Sequence, residues 1–396
     1  MERLYDKLKA YSESDFYAFH MPGHKRNKAL LGIELPYDLD ITEIDGFDDL
    51  HHADGILKEE QERAARVFGA EESHFLVNGS TAGILSAVMG CTHRGDKILV
   101  ARHCHKSIYH AIYMNGLVPR YVYPEFDISM HMNGEISKED VAKALAAEPD
   151  IKAVVIVSPN YDGVVSDVKG IAEVAHSYRI PLIVDEAHGA HFIYHEAFPE
   201  SAVSTGADIV IQSLHKTLPA MTQTGLLHLC TDCVSKEMMQ KKLSIFQSSS
   251  PSYVLMSSIE QCIHICDGNR GYFQQYCERL WILREKLEKL QHIQLVRTDD
   301  IGKLVFSVKN TMISGEKLFE ILRDQYHLEM EMSELYYVIA MTSICDTQEG
   351  YDRLYEAMTE IDQMIDLEKK QNKNHIQNNF KKMNYNIEQY KVFMRE

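Results

Sequence analysis

A lysine just past an apolar strand is the residue in this sequence best suited to covalent chemistry. Lys216 follows the run Asp208-Ile-Val-Ile211 and lies beside Ser213 and His215. Desolvation and cationic neighbours at such a turn lower the pKa of a lysine toward the nucleophilic amine. Most lysines are solvated surface residues, so this interpretation of Lys216 depends on which groups lie near it.

An acidic residue ends a second buried strand, in the segment Pro181-Leu-Ile-Val-Asp185-Glu-Ala-His188. Asp185 is therefore expected at the carboxyl edge of a sheet, where the ligands of open α/β sheets bind. A carboxylate there can hold a metal, orient a histidine or pair with a protonated ring nitrogen. The alternative is an Asp that only caps the turn after its strand.

A small-residue turn from strand into helix lies earlier in the chain. The segment Asn78-Gly-Ser-Thr-Ala-Gly83 follows the apolar Phe75-Leu-Val77 and precedes a helical run. Free backbone N–H groups, the positive end of the helix dipole and the hydroxyls of Ser80 and Thr81 suit a phosphate. Turns of this kind also serve only for packing.

These three segments together match the needs of one cofactor. Pyridoxal 5′-phosphate (PLP) requires a phosphate site, a partner for its ring nitrogen and a lysine that forms a Schiff base. The chain offers them in the order Ser80 and Thr81, Asp185, Lys216. The sequence therefore predicts a PLP enzyme that acts on the Cα of an amino acid.

The composition is that of a globular protein with two lobes. The chain has 396 residues, of which 45% are hydrophobic and 25% charged, and single cores usually stop growing near ~250 to 300 residues. The net charge of −17 repels phosphate backbones and argues against nucleic acid as a partner. Neither an apolar leader nor a run of about 18 uncharged apolar residues occurs, which argues against a membrane and favours the cytoplasm.

The cysteines give no metal or disulfide framework. Eight cysteines are scattered along the chain, so reduced thiols are expected. Cys230 and Cys233 form a CxxC pair, but no second such pair completes a zinc site. The prediction is therefore no metal.

Short strands rich in Val and Ile alternate with amphipathic helices through the middle of the chain, which predicts a mainly parallel sheet with helices on either side. Expected helices include residues 57–68, closed by Gly69, and 137–146, opened by Ser137. The first ~45 residues lack regular periodicity and predict an arm. After Gly271 the pattern changes to long charged helices with strands near residues 303–308 and 336–340.

The chain resembles the PLP-dependent ornithine/lysine/arginine decarboxylase family, which has the aspartate-aminotransferase-like fold type. The resemblance covers roughly residues 1–365. It is carried, in the family's order, by Phe19-His-Met-Pro-Gly-His-Lys25, Leu50-His-His52, Asn78-Gly-Ser-Thr81, His103-Cys-His-Lys-Ser107, Tyr161-Asp-Gly163, Asp185-Glu-Ala-His188, Ser213-Leu-His-Lys216 and Ser248-Ser-Ser-Pro-Ser-Tyr253.

The resemblance implies a fold and a domain plan. The fold class is α/β, with a three-layer αβα PLP-dependent transferase-like large domain and a small α+β C-terminal domain. The expected boundaries are an N-terminal arm over 1–45, the large PLP-binding domain over 46–270, the small domain over 271–366 and a polar tail, helical or disordered, over 367–396.

It also implies roles for individual residues. As catalytic residues, Lys216 would form the Schiff base, Asp185 would keep the pyridine nitrogen protonated and His105 would stack on the ring. His188 would reach the ring hydroxyl. The phosphate would be bound by Ser80, Thr81, Ser213 and His215, and by Ser248, Ser249 and Ser250 of a neighbouring subunit. An unliganded loop histidine at 105 and a core histidine at 188 are the alternatives.

The activity implied is decarboxylation of a basic amino acid to an amine and CO2, in a homodimer or larger homo-oligomer with a shared active site. Family members carry a further C-terminal domain, which this chain is expected to lack, so the distal group of the substrate stays open. The alternatives are another PLP reaction at Cα, such as transamination, and a noncatalytic partner of a full-length decarboxylase. Intact Lys216 and Asp185 argue against the last.

Overall fold

A computed structural model describes residues 3–16, 20–22, 24–31 and 33–371, with side chains to residue 365. The strands are β1 Glu72–Leu76, β2 Lys97–Ala101, β3 Val118–Val122, β4 Phe126–Asp127, β5 Met132–Asn133, β6 Ile151–Val157, β7 Leu182–Asp185, β8 Ile209–Ser213, β9 Gly225–Leu229, β10 Gln294–Val296, β11 Lys303–Ser307, β12 Met332–Ser333 and β13 Tyr337–Met341. The α-helices are α1 Leu4–Glu13, α2 Lys28–Leu31, α3 Ile56–Phe68, α4 Gly79–Cys91, α5 Lys106–Asn115, α6 Lys138–Ala147, α7 Val168–Ser177, α8 Leu214–Thr217, α9 Lys236–Phe246, α10 Tyr253–Gly268, α11 Gly271–Leu287, α12 Gly315–Tyr326 and α13 Gln348–Gln371.

The large sheet has seven strands in the order β1-β9-β8-β7-β6-β2-β3. The five strands from β8 to β3 in this order are all parallel to one another. Strand β9 is antiparallel to both of its neighbours, β8 and β1. The predicted α/β class with a mainly parallel sheet is therefore confirmed. The order puts the ends of β7 and β8, which carry Asp185 and Ser213, side by side.

Apolar residues on both faces bury the central strands. Every residue of β7, β8 and β9 is buried, as expected for parallel strands covered by helices. Helix α4 lies close to this sheet because it carries a glycine at the contact: a Cβ on Gly83 would come within 2.7 Å of Leu76 Cδ1. The close approach brings the first turn of α4 to the carboxyl ends of the strands.

A second sheet of four antiparallel strands follows in the order β10-β11-β13-β12. Two of its strands agree with the strand segments expected near residues 303–308 and 336–340. Lys303, the first residue of β11, is only 1% exposed. The second sheet thus contributes a buried charge as well as a core.

The N-terminal arm begins with a helix, which differs from the irregular segment expected there. Leu4 and Leu8 of α1 are fully buried, and Glu260 accepts the backbone N–H groups of Leu4 (2.6 Å) and Tyr5 (3.1 Å). An acidic side chain at a helix N-terminus satisfies donors that the helix cannot. The cap comes from a distant residue, so local periodicity did not reveal it.

Helix ends follow the predicted capping. Gly69 ends α3 in the left-handed region with φ of 78°, and Ser137 accepts the N–H of Asp140 at the start of α6. The expected polar tail lies outside the described residues from 372 onward. Within the described residues no helix combines the length and the apolar character needed to cross a bilayer, and all eight cysteines are free thiols.

Candidate active site

Lys216 lies in the short helix α8, one turn beyond the end of β8. Its Nζ is 3.0 Å from Nε2 of His188. Burial lowers the pKa of Lys216, against the opposing charges of Asp185 and Glu331. The amine is therefore held where its neutral, nucleophilic form is favoured.

Asp185 is the last residue of β7 and is 2% exposed. Burial raises its pKa to about 6, although the charge of Lys216 and a hydrogen bond from the Ala187 N–H (3.2 Å) act in the opposite direction. A buried carboxylate with so few donors is stabilised as an anion by a cation close to it. A protonated pyridine nitrogen has the required charge and a single N–H to donate.

The start of α4 and the end of β8 form a cluster of donors. Ser80 Oγ lies 2.5 Å from Ser213 Oγ, and both side chains are buried. Asn78 precedes α4 without capping it, because its Oδ1 accepts the N–H of Ser248 at 3.0 Å. An uncapped helix N-terminus beside two hydroxyls suits an anion such as phosphate.

A glycine leaves room for this cluster. A Cβ on Gly225 would come within 2.6 Å of the backbone oxygen of Gln212 and 3.6 Å of Ser80 Oγ. No larger residue fits between β8, β9 and Ser80. The close packing fixes where the Ser80 hydroxyl lies.

Two further predicted phosphate ligands lie on the same two elements. Thr81 is exposed in the first turn of α4. His215 Nδ1 lies 2.9 Å from the backbone oxygen of Thr224, and since only an N–H can donate to a carbonyl, its Nε2 is the free acceptor or, when protonated, a second donor. Their contact with a phosphate stays a prediction.

His105 caps helix α5 and is exposed. Its Nδ1 accepts the N–H of Ser107 at 3.3 Å. Burial of part of the ring and the charge of Lys216 lower the pKa of His105. A neutral ring in this position is suited to stacking on a planar cofactor, the role predicted for it.

The three serines at 248–250 are exposed and lie beside the turn at Asn78 of the same chain. The backbone oxygen of Ser248 is 2.7 Å from His51 Nε2. The role predicted for Ser248, Ser249 and Ser250 concerns the phosphate site of a neighbouring subunit, and it stays a prediction.

A buried lysine, Lys303, was missed by the sequence reasoning. Lys303 Nζ lies 2.8 Å from His188 Nδ1, so His188 is held between Lys303 and Lys216. Burial lowers the pKa of Lys303 to about 8. The only sequence signal was a charged residue at the first position of an apolar strand, which normally indicates a solvated strand end.

Acidic and aromatic groups surround this second lysine. The ring of Tyr161 packs edge-on against His188 at 4.9 Å between centroids, and its hydroxyl donates to Glu331. Tyr337 donates to Asp162 at 2.8 Å. Asp300 lies 3.2 Å from His191 Nε2. The carboxylates of Asp300, Glu331 and Asp162 offset the positive charge of Lys303.

The donor set fits PLP. A desolvated amine is available for the aldehyde, a buried carboxylate for the ring nitrogen, and hydroxyls with an uncapped helix start for the phosphate. Of the predicted residues, Lys216 contacts His188, Ser80 contacts Ser213, and the charge of Lys216 acts on the pKa of both Asp185 and His105.

Comparison with known proteins gives a consistent result. A family model described as "Orn/Lys/Arg decarboxylase, major domain" matches residues 3–337. An arginine decarboxylase of Bacillus subtilis (strain 168) is 34% identical over 380 residues, which cover 91% of this chain and 77% of that protein.

Solved structures share the fold. A lysine decarboxylase of Francisella novicida superimposes with a TM-score of 0.79 at 21% identity, covering 92% of this chain and 60% of that one. The chain thus spans about three fifths of the length of that structure. A serine palmitoyltransferase with PLP has a TM-score of 0.61 at 14% identity, covering 78% of this chain and 77% of that one.

Proposed function

We propose, from the premise that this chain belongs to the Orn/Lys/Arg decarboxylase family, that it uses Lys216 and PLP to remove the carboxylate of a basic amino acid as CO2. Its membership makes it a PLP-dependent amino-acid decarboxylase. The observation that supports the proposal most is the position of Lys216 just beyond the end of β8 and of the buried Asp185 at the end of the neighbouring strand β7, where the charge of each acts on the pKa of the other. An amine and a carboxylate at this edge of the sheet support PLP as the cofactor.

Bound PLP supplies an electron sink for the pair of electrons left when CO2 departs. The residues of the chain prepare and protect that step. Lys216 offers a neutral amine, and the Asp185 carboxylate opposes loss of the proton from the ring nitrogen. Ser80, Ser213 and the start of α4 hold the phosphate and so fix the position of the ring.

A basic substrate is supported by the charge near Lys216. The carboxylate of Glu331 is close enough to influence the pKa of that lysine, and Tyr161 donates to it. A guanidinium or ammonium group is complementary to such a carboxylate. Because the Bacillus subtilis relative is named an arginine decarboxylase, arginine is the first substrate to test.

We further propose a cytoplasmic homodimer that shares its active sites. Eight free cysteines suit a reducing compartment. The exposed hydroxyls at 248–250 are available to a second subunit. Mixing Lys216→Ala protein with a Ser248→Ala, Ser249→Ala, Ser250→Ala triple variant tests the shared site, because hybrid dimers regain activity only if the two sets of residues serve one site from different subunits.

The proposal is tested by CO2 release and absorbance. Purified protein with PLP is offered arginine, lysine and ornithine in turn, without any 2-oxo acid. We expect CO2 from one of them and a visible absorption band that is lost in Lys216→Ala. Lys152→Ala, which changes an exposed lysine of β6, is the matched control and should behave as the unchanged protein.

Two results would contradict the proposal. Turnover that requires a 2-oxo acid would assign an aminotransferase. Absence of CO2 from all three amino acids, with the absorption band present, would also reject decarboxylation of a basic amino acid.

A further inference from the structure

A continuous line of hydrogen bonds leads from the second sheet to the reactive amine. Lys303 Nζ is 2.8 Å from His188 Nδ1, and His188 Nε2 is 3.0 Å from Lys216 Nζ. Both ring nitrogens of His188 are therefore occupied by lysine side chains. Which nitrogen carries the proton decides what the ring offers to the site.

The position of Lys303 is built into the fold. Its side chain is 1% exposed, whereas a lysine at the start of a strand is normally solvated. Gly163 has φ of +94°, and a Cβ there would come within 2.8 Å of Lys303 Cγ. The glycine leaves the space in which the lysine stem lies.

The surrounding charges explain how a buried ammonium is tolerated. The charged groups that act on Lys303 are Asp300, Asp162, Glu331 and Lys216. Those that act on His188 are Lys303, Lys216, His191 and His215, and the Tyr161 ring packs against it. Acidic groups thus surround the lysine, while basic side chains surround the imidazole.

An ammonium can only donate hydrogen bonds. Lys303 therefore donates to Nδ1 of His188, which must be an acceptor. The proton of the neutral imidazole is then on Nε2, on the side of Lys216. Burial and the positive charge of Lys303 lower the pKa of His188 well below its ordinary value, so the ring stays neutral.

We propose that Lys303 is a positioning residue that fixes His188 as a neutral imidazole with its proton on Nε2, directed at the Lys216 amine and, with PLP bound, at the ring oxygen beside that amine. The inference rests on the proposed use of Lys216 and PLP. Without Lys303 the opposite tautomer becomes accessible, and it presents a lone pair where the site needs a donor.

The test separates the hydrogen bond of Lys303 from its charge. Lys303→Met removes both, whereas Lys303→Gln removes the charge and keeps an N–H donor. The readout is the pH midpoint of the visible absorption band of bound PLP. An N–H directed at the ring oxygen of bound PLP stabilises negative charge on that oxygen. Loss of this N–H therefore raises the pH at which the proton shared by that oxygen is released.

We expect the midpoint of Lys303→Met to lie about 1 pH unit above that of Lys303→Gln, since one hydrogen bond is worth roughly that much. We expect kcat to fall about tenfold with little change in KM. In a His188→Ala background the difference between the Met and Gln variants should vanish. Equal midpoints for the two variants, or a difference that persists without His188, would overturn the inference.

A measurement on the unchanged protein covers the case in which Lys303→Met does not fold. In protein labelled with ¹⁵N at histidine, the His188 signal, assigned by its loss in His188→Ala, reports the tautomer directly. Protonation on Nδ1 overturns the inference, and protonation on Nε2 supports it. Neither readout depends on CO2 release, so failure of the proposed reaction is recognised separately.

Discussion

The buried carboxylate of Asp185 predicts a conflict between stability and cofactor binding. Burial raises its pKa from 3.8 to about 6, and each pKa unit corresponds to about 1.4 kcal/mol, so ionisation of this group costs the cofactor-free fold about 3 kcal/mol. Asp185→Asn keeps the shape and the bond from the Ala187 N–H but removes the charge. We expect the cofactor-free variant to be more stable than the unchanged protein by up to about 3 kcal/mol at pH 8.

The pH dependence has a definite sign. Between about pH 4 and pH 6 the folded state of the unchanged protein binds a proton at Asp185 that the unfolded state has lost, so stability falls as the pH rises through this window. Asp185→Asn has no carboxyl group to ionise at this position, so this part of the decrease in stability with rising pH should be absent from the variant. The two proteins should therefore have equal stability near pH 3.8 and differ fully above pH 6.

Urea unfolding of cofactor-free protein at several pH values measures this difference. The same titration with PLP is the internal control, because a protonated ring nitrogen stabilises the Asp185 carboxylate and should reduce or reverse the gap. CO2 release by Asp185→Asn should fall at least about 100-fold. If cofactor-free Asp185→Asn is no more stable than the unchanged protein at pH 8, the buried Asp185 carboxylate does not destabilise the cofactor-free fold, and the reasoning is refuted.

Two further predictions concern the fold. Gly163→Ala should lower the free energy of unfolding by about 2 to 4 kcal/mol, because Gly163 has φ of +94° and a Cβ there would clash with Lys303. Gly46→Ala is the control, since Gly46 has φ of +86° but nothing within 4 Å, and it should lower the free energy of unfolding by only about 1 to 2 kcal/mol. Equal losses in urea unfolding would contradict the contact with Lys303. Leu8→Ala in the buried face of α1 should lower the free energy of unfolding by about 2 to 5 kcal/mol. Leu30 is 82% exposed, so Leu30→Ala should lower it by less than about 0.5 kcal/mol. A small loss for Leu8→Ala would show that α1 contributes little to the stability of the core.

The positions of Lys216 and Asp185 were predictable because both stand at the ends of apolar runs. Residues 182–184 and 208–211 read as buried strands, and the structure has strands at Leu182–Asp185 and Ile209–Ser213. A strand end has a known place in a parallel sheet, so sequence order gives an approximate position in space. Chemistry that lies on consecutive strand ends is therefore visible before the fold is known.

The partner of His188 was not predictable in that way. Lys303 belongs to another sheet, and nothing in residues 303–308 distinguishes a buried lysine from a solvated one. Its burial depends on space next to Gly163 and on carboxylates from three separate segments. Helix α1 was missed for the same physical reason, because Glu260 caps it from a distant part of the chain.

The link from Lys303 to His188 also sets an order of events during synthesis. Domains generally fold as units while the chain emerges at about 5 to 20 residues per second, and β11 leaves the ribosome after all seven strands of the large sheet. A nascent chain that ends before β11 already contains Lys216, Asp185, Ser80 and Ser213 but not Lys303, the residue proposed to orient His188. If Lys303 has the role proposed for it, His188 is oriented only after the second sheet has been made, which is later than the synthesis of the residues proposed to hold the cofactor.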